Sequence, residues 1–260
     1  MNTTENGGGT VARRDELERR LADVQRRISK ACRDAGRTEE PGLVVVTKFF
    51  PASDVRLLAE LGVLEVGENR DQEAAAKAAE LDGVDVAWNF IGQLQTNKAK
   101  SVARYAAAVQ SVDRISLVSA LDKAVARENE RLAEGGKPPR AALRCLIQVD
   151  LREPPGEDGG QAGAAGRGGA LPGDVPAIAD AIDAAALLEL GGVMAVAPLD
   201  ADAAEAFDRL MEVSRQLRAS YPGADTVSAG MSQDLEQAVA AGATHLRVGS
   251  DVLGPRPPLR

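Results

Sequence analysis

Leu43-Val44-Val45-Val46-Thr47-Lys48 is a run of four apolar residues, three of them β-branched, that ends in a threonine and a lysine. Apolar residues without alternation read as a strand buried on both faces, the kind found in parallel sheets covered by helices. Lysine is almost never fully buried unpaired, yet this one stands at the carboxyl end of a core strand, where α/β folds place their chemistry. Either Lys48 snorkels into solvent as the strand emerges, or it is an amine held at a site. The flanking sequence has to separate the two.

Upstream, residues 1–10 are polar and contain Gly7-Gly8-Gly9, which predicts a flexible tail. Over 11–35 the apolar positions Leu17, Leu21, Val24, Ile28 and Ala31 recur at spacings of four and three. That spacing predicts a helix with one buried stripe, stopped by Gly36 and packed on the outside or floor of the fold. Downstream, strands and helices alternate. Helices are predicted over 51–61, 72–81, 94–103, 114–133, 174–190, 201–220 and 232–241, the last with Ser232 as N-cap. Strands after the first are predicted over 63–66, 86–91, 105–109, 142–149, 192–196, 226–228 and 244–248. One stretch breaks the rhythm: residues 151–173 hold eight glycines and three prolines and offer little to bury. They read as a mobile loop that either covers a site or tolerates insertion.

Eight strands, each followed by its own helix, close most simply into a single (β/α)8 barrel preceded by an extra N-terminal helix. A doubly wound open sheet is the alternative. With 260 residues and the eighth unit finishing near the last of them, residues 11–260 are expected to form one domain.

Composition narrows the function. The formal charge of −8 argues against a protein built to grip nucleic acid. No run approaches the roughly 18 apolar residues of a membrane span, and the amino terminus has no apolar signal core. A cytoplasmic protein is expected. Cys32 and Cys145 lie in no metal-ligand spacing, and His245 is the single histidine, so neither a zinc site nor a disulfide framework is indicated.

In a barrel the site forms at the carboxyl ends of the strands, and a phosphate often sits after strands seven and eight. Ser228-Ala229-Gly230-Met231-Ser232 follows the seventh strand and Arg247-Val248-Gly249-Ser250 ends the eighth. Both read as small-residue loops whose backbone N–H groups can approach an anion; as tight turns alone they would need no ligand. Strands one and eight are neighbours in a closed barrel, so Lys48 would share their mouth. A lysine kept from water loses its proton more readily, and the neutral amine attacks carbonyls. Phosphate together with aldehyde fits pyridoxal 5′-phosphate (PLP), and fits a phosphosugar aldolase as well.

Several segments then combine: residues 43–48, Val66-Gly67-Glu68-Asn69 with Gln72-Glu73, Trp88 to Lys98, Ser111-Val112-Asp113-Arg114, Gly192-Val193-Met194-Ala195, Ser228 to Asp234, and Arg247-Val248-Gly249. In order and spacing this series resembles the pyridoxal phosphate homeostasis proteins of the YggS/PROSC type, whose fold is similar to the N-terminal barrel of alanine racemase. The resemblance spans about residues 11 to 255. It implies PLP as cofactor, carried as a Schiff base on Lys48. It further implies Ser228, Gly230, Met231, Ser232, Gly249 and Ser250 around the phosphate, Arg247 facing the pyridine nitrogen, and Asn69 and Met194 along the other ring edges. An arginine there would leave that nitrogen unprotonated and weaken the ring as an electron sink. Two departures stand out: Asn89 where the family usually has histidine, and Arg167-Gly168-Gly169 where its fifth loop usually carries a lysine.

Racemisation needs opposed proton carriers on the two faces of the substrate, and the two tyrosines, Tyr105 and Tyr221, precede strands and should lie at the far rim. His245 should point inward about 7 Å deeper than Arg247, as a packed residue. A PLP-holding protein without catalytic turnover of its own is therefore expected, and the resemblance implies that it is a monomer able to hand PLP to apo-enzymes. A low-activity amino-acid racemase is the rival.

Overall fold

The polypeptide alternates between two periods, and the computed structural model, which describes residues 5–152, 168–199 and 201–256, shows what each period buries. A first helix, α1 (Glu5–Asp34), precedes eight strands, β1 (Gly42–Val46), β2 (Glu65–Glu68), β3 (Ala87–Phe90), β4 (Ala106–Val112), β5 (Leu143–Gln148), β6 (Leu188–Met194), β7 (Thr226–Ser228) and β8 (His245–Val248). They form one closed parallel barrel in chain order, β1 pairing with both β2 and β8. Between and after them run α2 (Ala52–Glu60), α3 (Asp71–Glu80), α4 (Ala99–Val102), α5 (Ile115–Glu134), α6 (Val175–Asp183), α7 (Ala203–Ser220), α8 (Leu235–Ala241) and α9 (Ser250–Leu253).

Two cores result from the strand pleat. Val45, Val66, Trp88, Val109, Ile147, Val193, Val227 and Leu246 point outward and join the helices in one apolar cluster. Their neighbours in sequence face the lumen. There Val44 and Val46 sit among Asn89, Gln110, Ser228 and Arg247, all buried. The first strand is thus buried on both faces, as its unbroken apolar run requires.

The stripe on α1 is buried in full, Leu17, Leu21, Val24, Ile28 and Ala31 each being 6% exposed or less. The helix lies on the outside, not the floor: Arg13 reaches Asp54 of α2 at 2.7 Å and the Leu253 carbonyl at 3.0 Å, while Arg27 pairs with Glu236 and Asp251. It also starts earlier than the glycines suggest. Residues 5–10, read as part of a tail, continue the helical backbone of α1, because each added turn bonds to one already held by packing; residues 1–4 lie outside the described residues.

Other boundaries move for identifiable reasons. The helix predicted over 174–190 ends at Asp183 and its apolar tail is the start of β6. The segment 94–103 is a 3-10 turn (Thr96–Lys98) followed by the single turn of α4. Ser232 does not cap α8; the N-cap is Asp234, whose carboxylate instead accepts the Met231 N–H at 2.5 Å. Of the glycine-rich stretch, 153–167 lie outside the described residues, Arg167 among them. Its exit is anchored, with Ala170 bridging to Val149 beside the end of β5. Cys32 and Cys145 are buried and form no disulfide. Among the described residues no helix is long and apolar enough to cross a membrane, and no cluster of His, Cys, Asp and Glu could hold a metal.

Candidate functional site

Thr47 leaves β1 and enters a tight turn closed by the Phe50 N–H on the Thr47 carbonyl at 3.1 Å. Lys48 and Phe49 are its central residues. Phe49 has φ of +72°, the left-handed region that bulky residues avoid. Holding it there costs of order 1–2 kcal/mol, and the turn is braced accordingly.

The brace is a buried ion-pair cluster that the sequence reading did not single out. Lys77 of α3 is 7% exposed and its ammonium donates to Glu68 at 2.7 Å, to Glu73 at 2.7 Å and to the Thr47 carbonyl at 2.9 Å. Glu73 in turn accepts the Phe49 N–H at 2.6 Å, and the Thr47 hydroxyl donates to Glu68 at 2.6 Å. The carbonyl before Lys48 and the N–H after it are therefore both pinned by one salt-bridged pair. Burial pushes the Glu68 carboxyl up despite Lys77, and its Oε2 has no partner. The only signal in the sequence was Glu73 four residues before Lys77, a spacing usually found on solvated helix faces.

Lys48 itself is partly buried and lines a cavity of about 520 Å³ at the mouth of the barrel. Loss of hydration and then the charge of Arg256 lower its pKa below that of an ordinary lysine; Glu68 pulls the other way, and Arg70 adds a smaller lowering. Of the ten residues expected at the site, Lys48, Met231, Ser232, Arg247, Gly249 and Ser250 line this cavity. Asn69, Met194, Ser228 and Gly230 are not among its lining residues. Ser228 is fully buried and its hydroxyl accepts from Arg247 at 2.7 Å. Gly230 has φ of +88°, and a Cβ there would lie 2.5 Å from the Ala238 Cβ. Met194 is buried at the end of β6. Asn69 has a buried Oδ1 with no partner, the kind of atom that awaits a donor.

On the same cavity the loops after β7 and β8 present backbone donors, the β8 loop lying beside the end of β1. Ser250 opens α9, so its N–H precedes any intrahelical acceptor. At Gly249 a Cβ would come within 3.2 Å of the Val46 carbonyl, so glycine keeps that approach open. Arg247 spans the base of the cavity and is 3% exposed, with a second bond to the Ala195 carbonyl at 2.7 Å. Burial pulls its pKa down to about 10, which leaves it cationic at neutral pH.

Below Arg247 a polar chain descends through the lumen. The Ser228 hydroxyl donates to Gln110 at 2.7 Å, Gln110 to Asn89 at 2.8 Å, and Asn89 to Glu65 at 3.0 Å. Glu65 lies 3.7 Å from His245, whose burial lowers its pKa. Asn89 is thus a lumen residue rather than part of the mouth. His245 does point inward near the floor. Tyr105 bonds Asp71 at 3.5 Å and Tyr221 bonds Asp180, and neither lines the cavity.

Cavity, amine, donors and guanidinium fit a phosphorylated aromatic aldehyde in size and chemistry, and comparisons with known proteins agree. The family model described as "Alanine racemase, N-terminal domain" matches residues 20–257. A pyridoxal phosphate homeostasis protein of Mycobacterium bovis is 43% identical over 94% of each chain, and one of Corynebacterium glutamicum 39% identical over 90% of this chain and 99% of its own. PipY of Synechococcus elongatus, solved with PLP bound, superposes with a TM-score of 0.71 at 30% identity, covering 92% of this chain and all of that one. Alanine racemase of Corynebacterium glutamicum shares the fold alone, with a TM-score of 0.58 at 15% identity over 95% of this chain and 63% of its own. The chain belongs to the alanine racemase N-terminal domain family and, within it, to the pyridoxal phosphate homeostasis proteins.

Proposed function

We propose that this protein holds PLP reversibly as a Schiff base on Lys48, limits free aldehyde, and hands the cofactor to apo-enzymes without turnover of its own. The observation that carries the reading is the cavity shared by a partly desolvated lysine and the two loops after β7 and β8, with a buried arginine at its base. Met231, Ser232, Gly249 and Ser250 would surround the phosphate. Ser228 and Gly230 would support that loop. Arg247 would face the ring nitrogen, and Asn69 and Met194 the remaining edges. PLP supplies an aldehyde that forms an imine with a primary amine. The chain's part is to keep the Lys48 amine neutral more often, to fix the turn that carries it, and to hold the phosphate at the loops after β7 and β8. A cytoplasmic monomer suits this role.

The test is mass spectrometry of the borohydride-reduced, PLP-loaded protein. The pyridoxyl adduct is expected on Lys48, with the yellow band lost in Lys48→Ala; an adduct elsewhere, or a band that survives the substitution, overturns the assignment. Exchange of an amino acid's α-hydrogen with deuterated water faster than with free PLP would overturn the carrier reading in favour of a racemase.

A further inference from the structure

The polar chain below Arg247 runs in one direction. Arg247 can only donate, so the Ser228 hydroxyl accepts from it at 2.7 Å and must give its one proton to the Gln110 oxygen, also at 2.7 Å. That orients the Gln110 carboxamide, whose nitrogen donates to the Asn89 oxygen at 2.8 Å, and in turn Asn89, whose nitrogen donates to Glu65 at 3.0 Å. A carboxylate can only accept, so the far end demands the same direction. Five side chains, from β8, β7, β4, β3 and β2 in turn, thus join a cation at the cavity base to an anion at the barrel floor. Ser228, Gln110 and Asn89 are 3% exposed or less, so solvent does not compete for these bonds. The floor end is different: the Glu65 and His245 side chains are 32% and 28% exposed and lie 3.7 Å apart. Gly42 of β1 makes room for the imidazole, since a Cβ there would stand 3.0 Å from its Cδ2. The Thr244 hydroxyl lies 3.0 Å from Nδ1, which leaves Nε2 toward Glu65. Arg144 of β5 and Asp225 before β7 are the other charges acting on the ring. Burial holds the His245 pKa below the ordinary histidine value, so the ring gains its proton on the acid side of neutrality.

We propose that this chain couples the His245–Glu65 pair at the floor to cofactor occupancy at the mouth, so that protonating His245 and loading PLP favour each other. The proposal rests on the reading that PLP occupies the cavity above Arg247. With His245 neutral, Glu65 exerts its full charge on the Asn89 N–H. Bonds in an aligned chain polarise one another, so the Arg247 guanidinium is drawn toward Ser228 and away from the cavity. An imidazolium beside Glu65 offsets that pull, and Arg247 then presents more of its charge to an anion or ring nitrogen above it. The links carry polarisation only; no proton travels along them, because neither carboxamide titrates. Linkage makes the effect reciprocal: PLP shifts the protonation of His245 by the factor by which that protonation shifts PLP.

His245 is the single histidine in the chain, so its ring Cε1–H signal in NMR reports the floor without ambiguity. The signal is titrated in the unloaded protein and again with PLP held, loading being checked by the imine band. Its midpoint is expected to rise by about 0.7 pH unit on loading, a linkage of about fivefold, the low end of coupling between sites. Asn89→Leu cuts the chain at its centre and leaves every charge in place; there the rise should drop below about 0.3, or twofold. A midpoint that loading does not move, or that moves as far in Asn89→Leu as in the wild type, overturns the coupling. A second measurement needs neither variant nor cofactor: in the unloaded wild type, the Gln110 carboxamide and Arg247 Nε–H signals should follow the His245 titration curve. Signals that stay still as His245 titrates overturn the coupling as well. An imine band beside an unmoved histidine leaves the Schiff-base reading standing. If no band forms, it is that reading that fails, and the Gln110 and Arg247 signals decide whether the floor reaches the cavity base.

Discussion

Replacing Lys77 by methionine isolates the cluster behind the Lys48 turn. The ammonium is nearly buried, its partner Glu68 is fully so, and the two are 2.7 Å apart. Taking one member from such a pair leaves an uncompensated charge and costs about 3–5 kcal/mol, a large share of the 5–15 or so that separate a folded domain from its unfolded chain. A specific pH dependence should accompany it. Burial already raises the Glu68 carboxyl, and Lys77 is the main influence lowering it; without Lys77 the folded-state pKa climbs further above the unfolded value. A carboxyl with a raised folded-state pKa contributes stability below its unfolded pKa, and that contribution is lost as pH rises through the folded one. The deficit of Lys77→Met relative to wild type should therefore be smallest near about pH 5 and widen toward about pH 8. Urea unfolding across that range measures it. Adding Glu68→Gln should recover part of the loss and flatten the pH dependence, because the amide has no charge to strand. A deficit below about 1 kcal/mol, or one independent of pH, would refute the idea that Lys77 neutralises a buried carboxylate.

Further outcomes follow from the same geometry. Gln110→Leu removes the acceptor of the Ser228 hydroxyl and the donor to Asn89, and urea unfolding should show a loss of about 1–3 kcal/mol for each orphaned group. Gly230→Ala places a methyl 2.5 Å from the Ala238 Cβ at a φ of +88°; a loss of about 2–4 kcal/mol from overpacking and backbone strain is expected, with weaker uptake of PLP. Lys48 should react with amine reagents along a pH profile shifted below the ordinary lysine range, and Arg256→Gln should move that profile back up, as removing a like charge requires. The association rate of PLP should fall as salt is added; a rise would mean that the overall charge, not the mouth, governs the encounter.

The barrel was legible because its outward strand residues and its helix stripes are apolar at the two periods the chain alternates between. The lumen was not. Glu65, Glu68, Gln110 and Ser111 occupy strand positions with polar side chains, so β2 was placed two residues early and β4 was cut short at Val109. The helix expected to run to Leu190 overran the start of β6 at Leu188; inside that strand Gly192 has φ of +140° and a Cβ would meet the Thr226 carbonyl at 2.0 Å. At the site, Lys48, Arg247 and the two loops were readable from their places at strand ends. Lys77, Arg70 and Arg256 were not, because their importance lies in what they touch across the fold, and spacing along one helix or loop does not report that.

Charge unites these findings. The chain is acidic overall, with a formal charge of −8, and a doubly ionised phosphate ester would be repelled if it met only that average. What it meets at the mouth is Lys48, Arg247 and Arg256 along one cavity, with Arg70 beside Phe49. The acids that might cancel them are turned elsewhere: Glu68 toward Lys77, Asp71 toward Lys98 and Asp251 toward Arg27. Asp234 is the exception on the cavity wall, and its carboxylate is occupied by the Met231 N–H. A cleft of one sign with low-dielectric walls focuses its field outward over about a Debye length, roughly 8–10 Å at ordinary salt, while the surrounding acidic surface deters anions from settling elsewhere. Binding a dianion then relieves a repulsion the fold has already accepted, and a site arranged in this way favours the phosphorylated aldehyde over its uncharged relatives before any contact is made.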